Sequence, residues 1–290
     1  MEGNLQVPAE NIPAGGILTF YNTMSAPERR TFWACASGWA LDGMDFMIYP
    51  LVLTSIRHEW AVAAGPAGLA ATVTLLSSAL GGWAAGFVAD RIGRVRTLQI
   101  TILWFAVFSL LCAFAQNFDQ LLVLRGLLGF GFGGEWAAGA VLMGETIRPG
   151  WRGRAVGAVQ SGWAVGWGLA VLGQAIVFSL APEALAWRIM FALGILPALM
   201  IFYLRKNVAE PEIAARARAT QPAANPLGIF APGLLRTTVL AALLSTGAQG
   251  GYYAITAWLP SFLKTVRHLS VVGSTGYLAL LIAGSFTGYL

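Results

Sequence analysis

Two aspartates three residues apart, Asp42 and Asp45, interrupt an apolar run long enough to cross a bilayer. That spacing sets both carboxyls on one face of a helix. They fall ~10–14 residues into the run, which at 1.5 Å per residue puts them near the middle of a membrane. A charge there costs roughly 2.5–3.5 kcal/mol on insertion scales, so neither can face lipid. Arg125 and Glu135 interrupt another apolar run, ~15 Å apart along a helix. Three acids against one buried arginine leave at least one carboxyl without a full countercharge. Such a carboxyl, lining a cavity that water reaches, is a candidate proton carrier; Asp45 or Glu135 is the first choice, with Asp42 beside them. Arg125 is a candidate partner for a solute carboxylate, because an anion in a low-dielectric cavity needs a cation. Gln160 and Gln174, with Gln249, Tyr252, Tyr253 and Trp258, offer hydrogen bonds and flat apolar surface to shape a substrate pocket. For the aromatics, packing or an interfacial belt is an equal alternative.

The elements that must position these side chains are transmembrane helices. Hydrophobic residues make up 57% of the chain and charged ones 11%, and the mean hydropathy is +0.67. Soluble domains carry about 25% charge, so the composition is that of an integral membrane protein, all-α because continuous apolar runs of ~20 residues satisfy their backbones in lipid as helices. Spans are predicted over 31–53, 66–89, 98–115, 120–143, 155–180, 187–204, 237–263 and 274–290. Cys35 and Cys112 lie inside spans as small hydrophobes, and His58 and His268 sit beside span ends, so no metal cluster is expected. No His, Cys or Ser constellation is organised near an interface, which argues against an enzyme. The net charge of +5 reflects basic loops on one side of the membrane, not a nucleic-acid surface.

With the N-terminus inside, the inner segments hold Arg29, Arg30, Arg91, Arg94, Arg96, Arg148, Arg152, Arg154, Arg205, Lys206, Arg216, Arg218 and Arg236. Only Arg57, Arg188, Lys264 and Arg267 fall outside. The positive-inside rule therefore predicts a cytoplasmic N-terminus. Residues 1–30 read as a mostly disordered cytoplasmic tail without a cleavable signal. A six-helix bundle is expected over 31–205, a cytoplasmic linker rich in Ala, Pro and charge over 206–233, and an incomplete second bundle of two helices over 234–290. An internal repeat supports that plan: YPLVLTSIRH from Tyr49 resembles LPSFLKTVRH from Leu259, and GGWAAGF from Gly81 resembles AGSFTGY from Ala283.

The loop GFVADRIGRVR supplies Gly86, Asp90, Arg91, Gly93 and Arg94 in the register G-x-x-x-D-R-x-G-R. It resembles the signature of the major facilitator superfamily. Gly86 would let helices approach closely, Gly93 would permit the tight turn, and the charges would form a cytoplasmic latch. Arg125, Gly129, Gly131 and Gly133 are similar to the superfamily's R-x-x-x-G-x-G-x-G fourth-helix motif, whose glycines are read as packing positions. Glu145, Arg152, Gly153 and Arg154 resemble the E…RGR loop that mirrors the signature. The D-G-x-D spelling of residues 42–45 resembles aromatic-acid/proton symporters, while GGEW, GETIRP…RGRA and WRIMFALGILPALMIFYLRKNVAEPE look like sialate and monocarboxylate proton symporters. The fifth span has glycines but no proline, a departure from the antiporter pattern that favours symport.

The resemblance implies a twelve-helix carrier of small organic anions, coupled to protons by alternating access, in the bacterial inner membrane and monomeric. No cofactor is expected beyond protons. With eight of twelve helices visible, the chain reads as a fragment that would not transport by itself. A sugar or polyol carrier of the same superfamily is the alternative, and a non-transporting relative a further one.

Overall fold

The computed structural model describes residues 17–210, 225 and 227–289. Residues 1–16 of the expected tail, most of the 206–233 connection with its Arg216 and Arg218, and Leu290 of the last expected span lie outside the described residues. The elements are α1 (Ile17–Thr23), α2 (Ala26–Glu59), α3 (Ala64–Ile92), α4 (Arg94–Cys112), α5 (Phe118–Thr146), α6 (Arg152–Leu180), α7 (Glu183–Leu193), α8 (Leu199–Asn207), α9 (Pro232–Thr265) and α10 (Val271–Tyr289). Among the described residues there is no strand.

Five helical stretches are long and apolar enough to cross a membrane among the described residues: Ala64–Ile92, Arg94–Cys112, Phe118–Thr146, Pro149–Leu180 and Glu183–Leu204. α2 falls outside that set because Asp42 and Asp45 dilute its apolar centre, although its 34 residues extend ~50 Å. α9 also has 34 residues and is diluted by Gln249, Gly250, Gly251, Tyr252 and Tyr253.

Three expectations need correction. The helix that carries the first span starts at Ala26, one turn ahead of the span itself, and α1 forms within the expected tail. Ser25 and Glu28 make a reciprocal capping box that sets the start: the Ser25 hydroxyl accepts from the Glu28 amide, and the Ser25 amide donates to Glu28 at 2.7 Å. Phe20 of α1 is buried against Trp151, 5.3 Å between ring centroids. The sixth span is broken: α7 ends at Leu193, a 3-10 turn covers Leu196–Ala198 around Pro197, and α8 resumes at Leu199. Gly86 makes no close approach among the described residues, where a Cβ on it would meet nothing within 4 Å. The tight crossing of α3 lies a turn earlier, where a Cβ on Gly81 would strike the Phe130 carbonyl of α5.

Glycine carries the packing elsewhere, as expected of membrane helices. Side chains at Gly129 and Gly133 would clash with the Thr74 and Ser78 carbonyls of α3, and Gly131 backs onto Trp104 and Phe105 of α4. On the other side of the bundle, Gly162 and Gly166 of α6 press on the Ala36 and Ala40 carbonyls of α2. These two crossings, α3 on α5 and α6 on α2, fix the central polar residues of α2 and α5 opposite each other.

Candidate functional site

Asp42 and Asp45 occupy the centre of α2 and are both 0% exposed, so neither reaches lipid. The Asp42 carboxyl lies beside Glu135 of α5, itself 4% exposed. Neither Asp42 oxygen, nor Glu135 Oε2, has a hydrogen-bond partner among the described residues. Asp45 turns instead to α4, where the Ser109 hydroxyl donates to it. The break between α7 and α8 seats here: Gly194 lies so close that a Cβ would strike both Ser109 Oγ and Asp45 Oδ1. The gap in the sixth span thus accommodates a buried carboxyl and its donor.

Arg125 is 1% exposed, with its guanidinium 4.8 Å from the centre of the Tyr49 ring. The Tyr49 hydroxyl donates to the Ala67 carbonyl at 2.6 Å, fixing that ring between α2 and α3. Nε and Nη1 of Arg125 have no hydrogen-bond partner among the described residues. The buried polar groups thus fall into two neighbouring sets, Asp42 with Glu135, and Asp45 with Ser109 and Arg125, spread over α2, α4 and α5.

Beside it lies a cavity of about 510 Å³. Its wall includes Trp39, Phe132, Trp136 and Trp163 on the first helices and Gln249, Tyr252 and Tyr253 on α9, with Gln160 of α6 between them. Trp163 Nε1 donates to the Tyr252 hydroxyl at 2.9 Å, joining α6 to α9. Phe46 links the aromatics behind the wall, 5.1 Å from Phe132, 5.6 Å from Trp163 and 5.4 Å from Tyr253 between ring centroids. A second cavity of about 40 Å³ is lined by Glu135, Cys35, Gly38, Gly139, Trp39 and Gln160, among others.

The expected pocket residues therefore separate. Gln160, Gln249, Tyr252 and Tyr253 line the large cavity, whereas Asp42, Asp45 and Arg125 are not among its lining residues. The Arg125–Gly129–Gly133 face turns toward α3, which holds the guanidinium in the helix packing. Trp258 lies farther along α9 with its ring against Gly68. Gln174 is buried and donates to the Leu51 carbonyl at 2.7 Å, a tie between α6 and α2 rather than a pocket group. Sequence reasoning missed Ser109, Tyr49, Trp39 and Trp163. Trp39 was within reach, since it stands one helical turn before Asp42.

At the end of the bundle that carries the signature loop, Gly93 alone joins α3 to α4, with φ of 109° that a side chain would resist. Arg94 pairs with Asp90 at 2.6 Å and grips both Glu145 oxygens at 3.3 Å. Arg91 covers the Phe87 ring at 3.9 Å, and Arg152 Nε donates to the Ile147 carbonyl at 3.4 Å. Glu210 was not foreseen: it accepts from the amides of Arg94 and Val95 at 2.6 and 3.1 Å, where a carboxylate favours the helix start. At the opposite end, Glu183 accepts from Ser55 and Lys264, both at 2.6 Å.

A multi-pass helical membrane protein with buried charged groups near a solute-sized cavity is the class these features define. The family model described as Major Facilitator Superfamily matches residues 35–290, and the chain belongs to that superfamily. It is 40% identical over 274 residues to a probable 4-methylmuconolactone transporter of Cupriavidus pinatubonensis, covering 94% of this chain and 64% of that protein. It is 30% identical to the cis,cis-muconate transport protein of Acinetobacter baylyi, covering 86% of this chain and 60% of that one. The chain thus spans about two thirds of the length of these relatives. Among solved structures, a D-xylose-proton symporter superposes with a TM-score of 0.72 at 18% identity, over 89% of this chain and 66% of the other; at that identity the likeness concerns the fold.

Proposed function

We propose that the chain forms part of a carrier that moves a small planar organic acid across the bacterial inner membrane together with protons. The observation that carries this reading is the acid pair Asp42–Glu135, two carboxyls side by side and buried near an aromatic cavity of about 510 Å³. Small-molecule pockets run to about 300–1,000 Å³, apolar with a few polar groups, and the aromatic wall of Trp39, Phe132 and Trp163 suits a flat conjugated solute. Gln160, Gln249 and the Tyr252–Trp163 pair supply donors and acceptors for its polar end. Arg125 gives these buried groups their cation. In this conformation it lies behind the cavity wall, so it acts on a bound anion through their field, or directly after helix movement.

The basic loops support a cytoplasmic position for the Arg94 end. There, Arg94, Asp90, Glu145 and Glu210 tie α3, α4 and α5 into a latch that must loosen as the cavity changes side. The similarity to muconolactone and muconate carriers supports the solute class. The carrier acts as a monomer.

A screen tests the reading directly. Proteoliposomes holding the protein at its full natural length should take up labelled cis,cis-muconate or benzoate when the outside is acidified, and should not take up xylose. Uptake of xylose alone would transfer the assignment to a sugar carrier. Uptake of neither acid with any gradient would remove it.

A further inference from the structure

We propose that the Glu183 carboxylate, held between α2 and Lys264 of α9, is the outer gate of the organic-acid cavity. It forms the charge pair that must part before a solute enters from the side opposite the Arg94 latch, the outer side by the asymmetry of the basic loops. The gate rests on the carrier reading above but not on the identity of the solute. The first observation is in the sequence. YPLVLTSIRH and LPSFLKTVRH repeat each other and run to the ends of α2 and α9. Ser55 stands in the first segment and Lys264 in the second.

The structure brings both ends onto one carboxylate. Glu183 opens α7, where a negative charge favours the helix start. Its Oε1 accepts from Ser55 Oγ and from Lys264 Nζ, each at 2.6 Å. The ion pairs Arg94–Asp90, Arg94–Glu145, Arg148–Glu28 and Arg188–Glu59 all join parts of the chain that precede α8. Lys264–Glu183 instead reaches across to α9. Packing agrees with that tie. Among the described residues, those of α9 that are buried are Thr256, Pro260, Ser261 and Leu263, all toward its C-terminal end. Leu263 shares an apolar cluster with Leu53 and Ile56 of α2. α9 thus meets the first bundle at the Lys264 end, while Gln249, Tyr252 and Tyr253, farther back along the same helix, line the cavity.

The strength of the contact suits a gate. The Lys264 side chain is 37% exposed and that of Glu183 52%. An ion pair so open to water shifts an equilibrium by only about fivefold at most. Joined, the pair holds α9 over α2 and α7 at the outer end of the cavity. Parted, the ammonium and the carboxylate both return to water, so the contact can form and break in every transport cycle.

Gln249→Cys reports on the gate, because Gln249 lines the cavity and lies ~22 Å along α9 from Lys264. It is introduced into the full natural protein with Cys35→Ala and Cys112→Ala, and a membrane-impermeant methanethiosulfonate is added to the outer face of right-side-out vesicles. Lys264→Glu sets two carboxylates face to face and should raise the labelling rate at residue 249 about fivefold. The exchanged pair, Glu183→Lys with Lys264→Glu, should return that rate to within about twofold of the parent. An unchanged rate in Lys264→Glu overturns the gate. A rate in the exchanged pair as high as in Lys264→Glu overturns it too, since the charges would then not act on each other. Should Lys264→Glu fail to fold, Lys264→Gln takes its place with an expected rise of about two- to threefold, and an unchanged rate there is equally fatal. No solute enters this measurement, so failed muconate uptake by the parent would remove the solute class and leave the gate to be judged by labelling.

Discussion

α2 and α9 are two copies of one sequence idea placed in different surroundings. The register that aligns Pro50 with Pro260 sets Trp39 against Gln249 and Asp42 against Tyr252. In α2 these positions hold a buried carboxyl and the aromatic in front of it. In α9 they hold the neutral polar groups of the cavity wall. Glycine shows the same contrast. Gly162 and Gly166 of α6 lie on the carbonyls of α2, whereas Gly247, Gly250 and Gly251 of α9 meet nothing within 4 Å, as is true of Gly276, Gly284 and Gly288 of α10. With no hydrophobic force between helices in lipid, a small residue matters only where a second backbone comes close. Among the described residues, the buried carboxyl thus lies on the densely packed helix, and the neutral polar groups of the cavity wall on the sparsely packed one.

Substitutions at matched glycines should expose that asymmetry most strongly. Gly166→Val drives a side chain into the Ala40 carbonyl, and a backbone atom cannot rotate away. It should destabilise the bundle by ~3 kcal/mol or more. In this 290-residue chain, Gly250→Val meets nothing within 4 Å among the described residues and should stay within about 0.5 kcal/mol. Thermal unfolding in detergent measures both, and equal melting temperatures would break the comparison. The tie between α6 and α9 should matter less. Trp163→Phe removes the donor to the Tyr252 hydroxyl and should cost ~0.5–1.5 kcal/mol, seen as weaker muconate binding with little change in melting.

The smallest effect belongs to the start of α2. Burial pushes the Glu28 carboxyl up, but hydrogen bonds from Ser25 and Arg148 outweigh it and hold the group below its ordinary value. A depressed carboxyl stabilises the fold above its unfolded value, near about 4.3, and that contribution fades as the pH falls through the folded one. Glu28→Gln should therefore lower stability by ~1 kcal/mol at pH 7, and the gap between the two proteins should close below about pH 4. A gap that is constant from pH 7 to pH 3 would assign the effect to packing.

Much of this was legible in the residues. Asp42, Asp45 and Glu135 were bound to be buried from lipid because of what a charge costs there, and Arg94 with Asp90, Glu145 and Gly93 formed from a signature whose spacing has a geometric purpose. Gly129 and Gly133 packed because a stripe of glycines has little other use. What escaped depends on the neighbouring helix. Gly86 shares its spacing with packed glycines, yet α3 has already left α5 at that level. The break in the sixth span was hidden by uniform hydropathy, since Gly194 and Pro197 are common in apolar runs and only Asp45 and Ser109 opposite explain it. α1 was lost in a polar tail because Phe20 finds its apolar partner, Trp151, far away in sequence. Nor does a sequence show a cavity: the division between Glu135 and the solute space exists only once four helices meet.

Proton coupling through the Asp42–Glu135 pair rests most directly on Glu135. In proteoliposomes of the full natural protein, Glu135→Gln should abolish cis,cis-muconate accumulation driven by an inward proton gradient while exchange of muconate across the membrane continues. Accumulation at the parental rate in that variant would contradict the account.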